Sequence, residues 1–511
     1  MKSTDNNSDP RQLLDEVFSN FEEKFKGEGH RIGMADDMVL AASKFEVAKQ
    51  LQAEIKVLDE IILITSRMGE KVGVSKKNLR GGHVMKRAEL LTRLSNLYAE
   101  LFLTIERGRM NHLVQGHEEL HPPNKEVCTV CLEEIPITGL ASVQYFLCCG
   151  NFICFQCLQS SVVGGRMRMK KCPYCREDIL AHDMFINSEK GVSQIEVQAE
   201  KGRPWAQAQM GIYFLEGSSC NHGDVVKHEV NVKEALKWFK LATEQKQPDA
   251  IRIMGQIHSG LYDEVKEVDQ CQIKARELMK ESADLGNLRA QRNYAMMCRI
   301  GQGGPIDKVE AVHYYTLAYS QKGLLFEKDR IAPLNLSDDL PEEVLHAGLF
   351  LGIYHYYGIG GLTKNLYIAK HYLEEHVKES EKQCLDAVPK AYMYLAACLM
   401  ELQESKYGRN AFDFSIPGHS SVPRAMALYR QAIKLGIDQQ NYHSQFSKET
   451  VAQMVSGLKN CCGNCGVAPE DIPEGKLKEC GRCHSAWYCG KDCQAEHWRA
   501  GHKSDCVKQQ V

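Results

Sequence analysis

The sequence has little excess charge of either sign and no apolar run long enough to cross a bilayer. Its formal net charge is −3 over 511 residues, of which 25% are charged, so it offers no global electrostatic attraction to nucleic acid or membranes. The longest aliphatic run near the start, Ile61–Ile64, is far shorter than the roughly 20 residues of a membrane-spanning helix. We therefore expect no specific nucleic-acid partner and no membrane association.

The start of the chain also lacks the features of a secretion signal. Met1–Pro10 (MKSTDNNSDP) is polar, with no apolar core behind it, whereas secreted disulfide-rich proteins begin with an apolar segment. We therefore expect a reducing location, cytoplasmic and/or nuclear, in which thiolates stay free to bind metal. The length of 511 residues predicts several domains of roughly 100–200 residues each.

Cysteine, in contrast, is abundant and strongly clustered. Of the 21 cysteines, 16 lie in two short blocks, from Cys128 to Cys175 and from Cys461 to Cys506. Two thiolates in a CxxC pair grip one side of a zinc ion, and a second pair closes the tetrahedron. Each block therefore predicts two zinc ions. The remaining cysteines scatter along the chain as small apolar residues do, and they are Cys220, Cys271, Cys298, Cys384 and Cys398.

Two leucine-rich stripes precede the first block, in a mainly α-helical chain. In residues 35–118, apolar residues recur at alternating steps of three and four, which predicts two amphipathic helices with a break at Gly81–Gly82. A helical hairpin within one chain and a dimerising coiled coil both fit these short runs. Residues 1–34 are polar and expected to be disordered. The stripes consist of Leu51, Ile55, Leu58, Ile62, Leu90, Leu94, Leu97 and Leu101.

Residues 190–445 contain a repeat array. Small residues recur as Ala-x4-Gly or Ala-x4-Ala in a first helix, and a second helix follows with small and aromatic residues at fixed offsets. The first-helix alanines recur every 40 to 57 residues, which is typical of an α-solenoid. The segments 301–307 and 357–365 resemble Sel1-like repeats, relatives of the tetratricopeptide family, which implies a protein-binding scaffold. These alanines are Ala206, Ala250, Ala290, Ala347 and Ala391.

The first cysteine block, in residues 122–185, resembles a RING finger. The resemblance implies a cross-brace, in which the first and third cysteine pairs bind one zinc and the second and fourth bind another. The sequence departs from the family at Asn151, where most RING fingers have a histidine ligand. Adjacent Cys148 and Cys149 are therefore expected to bind one ion together, which requires an unusual local bend. The implied ligands are Cys128, Cys131, Cys154 and Cys157 for one zinc, and Cys148, Cys149, Cys172 and Cys175 for the other.

The same resemblance implies a ubiquitin-ligase surface. A RING ligase holds a ubiquitin-loaded conjugating enzyme in a reactive conformation, which is catalysis by orientation. Val130 and Pro173 match the apolar positions that contact the conjugating enzyme, and Arg176 matches the cation that bridges ubiquitin and the enzyme. The planar fork of arginine suits this role because it donates to two acceptors. Simpler roles also fit, since Val130 can fill the finger's core and Arg176 can be a solvated cap.

The second cysteine block, in residues 455–511, resembles a MYND finger. The ligand order and the Tyr-Cys and His-Trp elements match between Cys462 and Cys506. The resemblance implies a docking surface for proline-containing peptides, with Gln494 and Trp498 near its groove, whereas His497 and Cys461 are not expected to bind metal. The implied ligands are Cys462, Cys465, Cys489 and Cys493 for one zinc, and Cys480, Cys483, His502 and Cys506 for the other.

Two functions from different classes follow. The first is a RING-type ubiquitin ligase whose repeats and MYND finger recruit protein substrates; a homodimer through the N-terminal helices is compatible with it. The second is a non-catalytic interaction scaffold with structural zinc fingers, favoured by Asn151 and the crowded Cys148–Cys149 pair. The sequence has no phosphate-binding loop, paired-carboxylate site or Ser/His/Asp arrangement. It also lacks the pocket motif of the methyltransferase domain that some MYND proteins carry, so that activity is excluded.

Overall fold

Helices form most of the described residues in a computed structural model, which confirms the predicted mainly α-helical fold class. The chain forms two compact units: residues 1–109, 365–377 and 386–511, and residues 110–364 and 378–385. The structure describes residues 44–61, 64, 76–140, 143–154, 157–158, 162–163, 166–167, 171–178, 189–219, 226–227, 229–262, 265–326, 342–382, 389–407, 424–425, 428–429, 431–432, 435, 462–463, 469, 472, 475–484, 486–503 and 506.

The described elements are very short strands and helices of 7 to 45 residues. None of these helices is both long and apolar enough to cross a membrane. The helices are α1 (44–61), α2 (Lys76–Leu120), α3 (Glu189–Glu200), α4 (Pro204–Glu216), α5 (Val232–Glu244), α6 (Pro248–Ser259), α7 (Gln272–Asp284), α8 (Leu288–Ile300), α9 (Lys308–Phe326), α10 (Glu342–Tyr357), α11 (Leu366–Lys382), α12 (Pro389–Tyr407) and α13 (Lys491–His497).

The strands pair as five antiparallel two-stranded ribbons. Among the described residues, each ribbon joins two strands that follow one another along the chain, and the last of them lies in the C-terminal block. The strands are β1 (Lys125–Val127), β2 (Glu134–Pro136), β3 (Gln144–Tyr145), β4 (Phe152–Ile153), β5 (Val162–Val163), β6 (Arg166–Met167), β7 (Ser218–Ser219), β8 (Val226–Lys227), β9 (Lys478–Glu479) and β10 (Trp487–Tyr488).

In the first unit, α1 and α2 run antiparallel. Lys44 Nζ lies 2.6 Å from Glu100 Oε2 at one end of the pair, and Arg87 pairs with Asp59 at the other. Between these contacts the described stripe residues are buried, except for the half-buried Leu97. The apolar stripe is thus buried within one chain. Residues 1–34 and Ile62 lie outside the described residues.

The glycine pair of α2 does not interrupt the helix. The prediction of a break at Gly81–Gly82 is wrong, because α2 begins at Lys76 and continues without a break to Leu120. Each interior glycine costs a helix about 1 kcal/mol relative to alanine. The packing of the long apolar stripe that follows offsets this local cost, as tertiary contacts commonly do.

In the second unit, the repeat helices pack as consecutive antiparallel pairs. Four of the five first-helix alanines of the predicted array, from Ala206 to Ala347, lie in this unit and are fully buried, as are the second-helix residues Ala235, Phe239 and Tyr315. Ala391, in the first unit, is also fully buried. The aromatic stripe therefore fills the spaces between helices. Two of the first helices have the same type of N-cap. The side chains of Gln247 and Asn287 accept hydrogen bonds from the backbone N–H groups three residues later, at 2.8 and 3.0 Å.

The first pair is closed by a contact that requires glycine. Gly211 on α4 faces the ring of Phe239 on α5, and a Cβ at position 211 would lie only 2.5 Å from Cε1 of that ring. The Phe239 side chain is fully buried, so it has no free space into which to move. The Ala-x4-Gly spacing thus sets how closely α4 and α5 approach.

The first cysteine block is attached to the beginning of the repeat array by a loop around β3. The backbone N–H of Leu140 donates to Asp249 Oδ2 at 2.7 Å. The ring of Tyr145 stacks on Trp205, with centroids 4.5 Å apart and planes 13° from parallel. Because Asp249 and Trp205 lie on different repeat helices, the loop is fixed at two separate points.

We predict that Gly211→Ala destabilises the repeat array by about 1–3 kcal/mol, because the added methyl overlaps a ring that cannot move. Gly116→Ala on α2 is the matched control, since its Cβ would meet no heavy atom within 4 Å. That change should stabilise the protein by about 0.5–1 kcal/mol. Denaturant unfolding, with hydrogen exchange of α4 and α5, measures both effects. Equal effects of the two substitutions would contradict the packing argument.

Candidate metal centres

The first and third cysteine pairs of the first block converge on one point. Cys128 and Cys131 lie in the turn between β1 and β2, and Cys154 and Cys157 follow β4. The Sγ atoms of Cys128 and Cys157 are 3.9 Å apart, and those of Cys131 and Cys154 are 3.7 Å apart. Thiolates bound tetrahedrally to zinc at about 2.3 Å lie about 3.8 Å from each other. The donor set and its spacing therefore fit zinc.

The second and fourth pairs form a neighbouring cluster. Cys149 Sγ lies 3.7 Å from Cys172 Sγ, and Cys148 Sγ lies 3.5 Å from Cys175 Sγ. The chain reverses tightly here, with Gly150 at a φ of 77° between β3 and β4. This turn is the bend that two adjacent cysteines need in order to approach one ion. The sulfur spacing again fits tetrahedral zinc.

Asn151 contacts the sulfur of a predicted ligand. Its Nδ2 donates a hydrogen bond to Cys149 Sγ at 3.6 Å. An amide N–H stabilises negative charge on a thiolate without entering the metal's coordination shell. Asn151 thus contacts the cluster from outside, while Cys148 and Cys149 both contribute a sulfur atom to it.

Three of the CxxC pairs share a backbone conformation that sequence reasoning missed. In each, the residue after the second cysteine donates its N–H to the carbonyl of the first cysteine, at 2.7 to 3.0 Å. Each of these residues has a left-handed backbone conformation. Glycine adopts this conformation most easily, yet none of the three residues is glycine. The missing glycine is why the turns gave no signal in the sequence. They are Leu132 (φ 63°), Arg176 (φ 64°) and His484 (φ 49°).

In the first block, burial raises the pKa of the cysteine thiols, whereas hydrogen bonds from backbone N–H groups lower it. Burial raises the pKa of Cys128, but N–H groups of Cys154, Cys131 and Val130 outweigh it and lower the pKa to about 6. Burial raises the pKa of Cys148 and Cys157 well above the ordinary thiol value. A bound cation would lower the pKa of every ligand thiol, because it favours the thiolate form.

The residues predicted to contact a conjugating enzyme lie on two adjoining turns. Thr129 Oγ1 donates to Tyr174 Oη at 2.5 Å, which joins the turn that carries Val130 to the turn that carries Pro173. The side chain of Val130 is 52% exposed, so the simpler role of filling the finger's core is wrong. That core consists of Phe146, Ile153, Leu158 and the buried cysteines. Arg176 is exposed and Pro173 is half-buried.

The C-terminal block also brings its predicted ligands into two groups. Cys480 Sγ lies 3.7 Å from Cys506 Sγ, and Cys483 Sγ lies 3.7 Å from His502 Nε2. All four of these residues are buried and their ligand atoms lie within 4.8 Å of one another, as one zinc ion requires. A second group contains Cys462, Cys489 and Cys493. Its fourth predicted member, Cys465, and the neighbouring Cys461 lie outside the described residues.

His497 has a structural partner next to these clusters. Its Nδ1 lies 3.0 Å from the hydroxyl of Tyr488, and its ring stacks on His502 at 4.9 Å. Trp498 is half-buried, with its ring 5.9 Å from that of His502. The indole therefore belongs partly to the finger's own packing. Gln494, one turn earlier, is also half-buried.

Two family models match parts of this chain. The MYND finger family matches residues 462–506. The Sel1 repeat family matches residues 206–246, 248–287, 288–322, 347–375 and 420–437. The chain contains Sel1 repeats and a MYND finger. Both predictions are confirmed, and the MYND finger implies zinc binding. The first cysteine block lies outside the matched segments.

Solved structures of Sel1-type proteins are also similar to this chain. A Sel1 repeat protein from Oxalobacter formigenes is 16% identical over 52% of this chain and 91% of its own, with a TM-score of 0.34. A protective antigen of uropathogenic Escherichia coli that displays an SLR fold is 15% identical over 61% of this chain and 64% of its own, with a TM-score of 0.30. Likeness at this level says nothing about function. No curated protein matches the chain.

We predict that Asn151→Ala lowers zinc affinity at the Cys148–Cys175 cluster about tenfold or more, the usual cost of losing an outer partner of a ligand. Asn124→Ala is the matched control, because the same residue type there uses only its backbone carbonyl, as acceptor from Ile137. Competition with a zinc chelator measures both affinities. Equal affinity of the Asn151 variant and the unmodified protein would show that the amide–sulfur contact contributes nothing.

Proposed function

We propose that this protein is a RING-type ubiquitin ligase whose Sel1 repeats and MYND finger recruit protein substrates. The supporting observation is the order of the cysteine pairs. The first pair shares a cluster with the third, and the second shares one with the fourth. This interleaved order is the cross-brace that the RING resemblance implies, and four separate pairs could equally have been joined in sequence. A ligase of this kind acts on proteins bound elsewhere, so a repeat scaffold in the same chain has a direct use.

The accessibility of the predicted contact residues supports the same proposal. The finger attaches to the repeat array through the segment that contains Leu140 and Tyr145. Val130 and Arg176 lie outside that segment and remain exposed, as does Leu132, whose side chain is 74% exposed. An exposed apolar pair beside a cation suits a conjugating enzyme, which must be held and then released.

We also propose binding sites for two partners and a location for the protein. Peptides that contain proline would bind at the MYND finger, near Gln494 and Trp498, and the conjugating enzyme would bind at the first finger. The stripe of α1 and α2 is buried within one chain, so a homodimer of this region would use other faces of these helices. Thiolate sites of this kind require reducing surroundings, which favours the cytoplasm and the nucleus.

A non-catalytic scaffold is the second candidate, and one observation favours it. The Cys148–Cys149 pair and Asn151 replace the usual histidine arrangement, and this part of a RING finger shapes the surface beside the conjugating enzyme. A scaffold needs the same folded zinc sites but no ubiquitin transfer. The two candidates therefore differ in activity and agree in metal content.

We predict that Arg176→Gly reduces the discharge of ubiquitin from a charged conjugating enzyme by about ten- to a hundredfold, because hydrogen bonds to charged groups contribute about 1.5–3 kcal/mol. Glycine removes the side chain and favours the left-handed backbone that Arg176 adopts, so the turn should keep its metal. His484→Gly is the matched control, since it makes the same backbone change in the MYND finger.

Discharge onto free lysine and zinc content by mass spectrometry are measured on all three proteins with a panel of conjugating enzymes. Equal discharge by the Arg176 variant and the unmodified protein would remove Arg176 from the mechanism. Full zinc content without discharge by the unmodified protein would establish the scaffold instead.

We also predict that Gln494→Ala weakens binding of a proline-containing peptide to the full-length protein about fivefold, the effect of losing one net hydrogen bond of about 1 kcal/mol. Lys491→Ala is the control, because Lys491 is an exposed residue of the same helix, α13. Fluorescence anisotropy with a labelled peptide measures the affinities. A peptide that binds both variants equally would locate the docking surface elsewhere.

A further inference from the structure

A cluster of metal-ligand side chains lies outside both cysteine blocks. His117 is in the last turn of α2, His121 follows the end of that helix, and Asp284 is the last residue of α7. The four-residue spacing of the two histidines places them on one face, and the His121 N–H donates to the His117 carbonyl at 2.8 Å. The ligand atoms that the three side chains offer all lie within 4.8 Å of one another.

Two of these side chains have supporting partners on α9. His313 Nε2 lies 3.1 Å from His117 Nδ1, and the Tyr314 hydroxyl donates to Asp284 Oδ1. These contacts occupy one side of each group and leave His117 Nε2 and Asp284 Oδ2 for a further interaction. Metal-binding histidines and carboxylates are usually oriented by outer hydrogen bonds of this kind.

The free nitrogen of His117 is the observation that points to a ligand. The His117 side chain is only 7% exposed, and its Nε2 has no hydrogen-bond partner among the described residues. A buried polar atom without a partner costs about 1–3 kcal/mol. A metal ion bound at Nε2 would remove that cost.

The distance between the His121 and Asp284 donor atoms leaves room for a metal ion between them. His121 Nδ1 and Asp284 Oδ2 are 4.0 Å apart, too far for a hydrogen bond. Nitrogen and oxygen ligands of a tetrahedral zinc ion lie about 3.4 Å apart. A small movement of the partly exposed His121 would therefore place both donors on one ion.

The surroundings keep His117 in the form that binds metal. Burial, followed by the neighbouring His313 and His121, lowers the pKa of His117 to about 4, so the ring is neutral at pH 7. Lys280 adds positive charge nearby, but its ammonium lies 2.7 Å from Glu310 Oε1, which offsets that charge. A neutral imidazole is the species that coordinates metals.

We propose that His117, His121 and Asp284 form a further site for a divalent transition ion such as zinc, with one open coordination position. Two imidazoles and a carboxylate suit this class of ion. Bound there, the ion would join the end of α2 to α7, and so fix the helix that leads into the first cysteine block against the repeats.

The test is a count of zinc in the full-length protein, with His121→Ala and Asp284→Asn as variants. We expect each variant to retain one zinc ion fewer per chain than the unmodified protein. His112→Ala is the matched control, because His112 is an exposed histidine of the same helix, and it should lose no zinc. Circular dichroism checks that the helices remain folded.

Cobalt substitution separates this site from the cysteine clusters. Cobalt bound by thiolates absorbs strongly in the near ultraviolet, whereas this site has no sulfur ligand. Loss of one cobalt ion with unchanged thiolate absorption would support the proposal. Equal metal content in all variants, or a loss that always accompanies loss of thiolate absorption, would overturn it. Neither outcome depends on whether the first finger is an active ligase.

Discussion

The convergence of cysteine sulfur atoms on shared points is the constraint on which both cysteine blocks depend. Blocks of about 50 residues bury too little apolar surface to fold on it alone, and a structural zinc ion supplies about 10–16 kcal/mol of apparent folding free energy. The core of the first block is correspondingly small, with Phe146, Ile153 and Leu158 packed against the cysteines themselves. The sulfur atoms are therefore part of the core as well as the candidate ligand set.

The same dependence explains why strained turns are tolerated. A left-handed conformation costs a residue with a side chain roughly 1 kcal/mol or more, yet Leu132, Arg176 and His484 all adopt it. In each case the turn aims two thiolates at one point and adds a backbone hydrogen bond. The metal-binding free energy exceeds the strain by an order of magnitude. The side chain of Arg176 consequently starts from a backbone position that the turn fixes.

The parts of this structure that the sequence predicted have local or periodic causes. Helix packing needs a small residue at each close approach, so the alanines from Ala206 to Ala391 recur visibly, and zinc needs pairs of ligands at short spacing. The prediction of a break at Gly81–Gly82 was wrong because it rested on the low helix propensity of glycine alone. The packing of the apolar stripe that follows, which favours a continuous helix, depends on the folded chain. The contacts Leu140–Asp249 and His117–Asp284 join distant segments without any periodicity, and only the folded chain reveals them.

The turn between α7 and α8 links these distant contacts. Asp284 approaches His121 at its start, and Asn287 donates to the Thr138 carbonyl at 3.4 Å at its end. The first of these contacts involves the chain that enters the first cysteine block, and the second involves the loop within that block. Because the Ile137 N–H donates to the Asn124 carbonyl at 2.7 Å, both contacts lie at the open end of the β1–β2 ribbon, away from the turn that carries Cys128 and Cys131. The turn between α7 and α8 therefore meets the base of the first cysteine block at two points, which orients that block relative to the repeats.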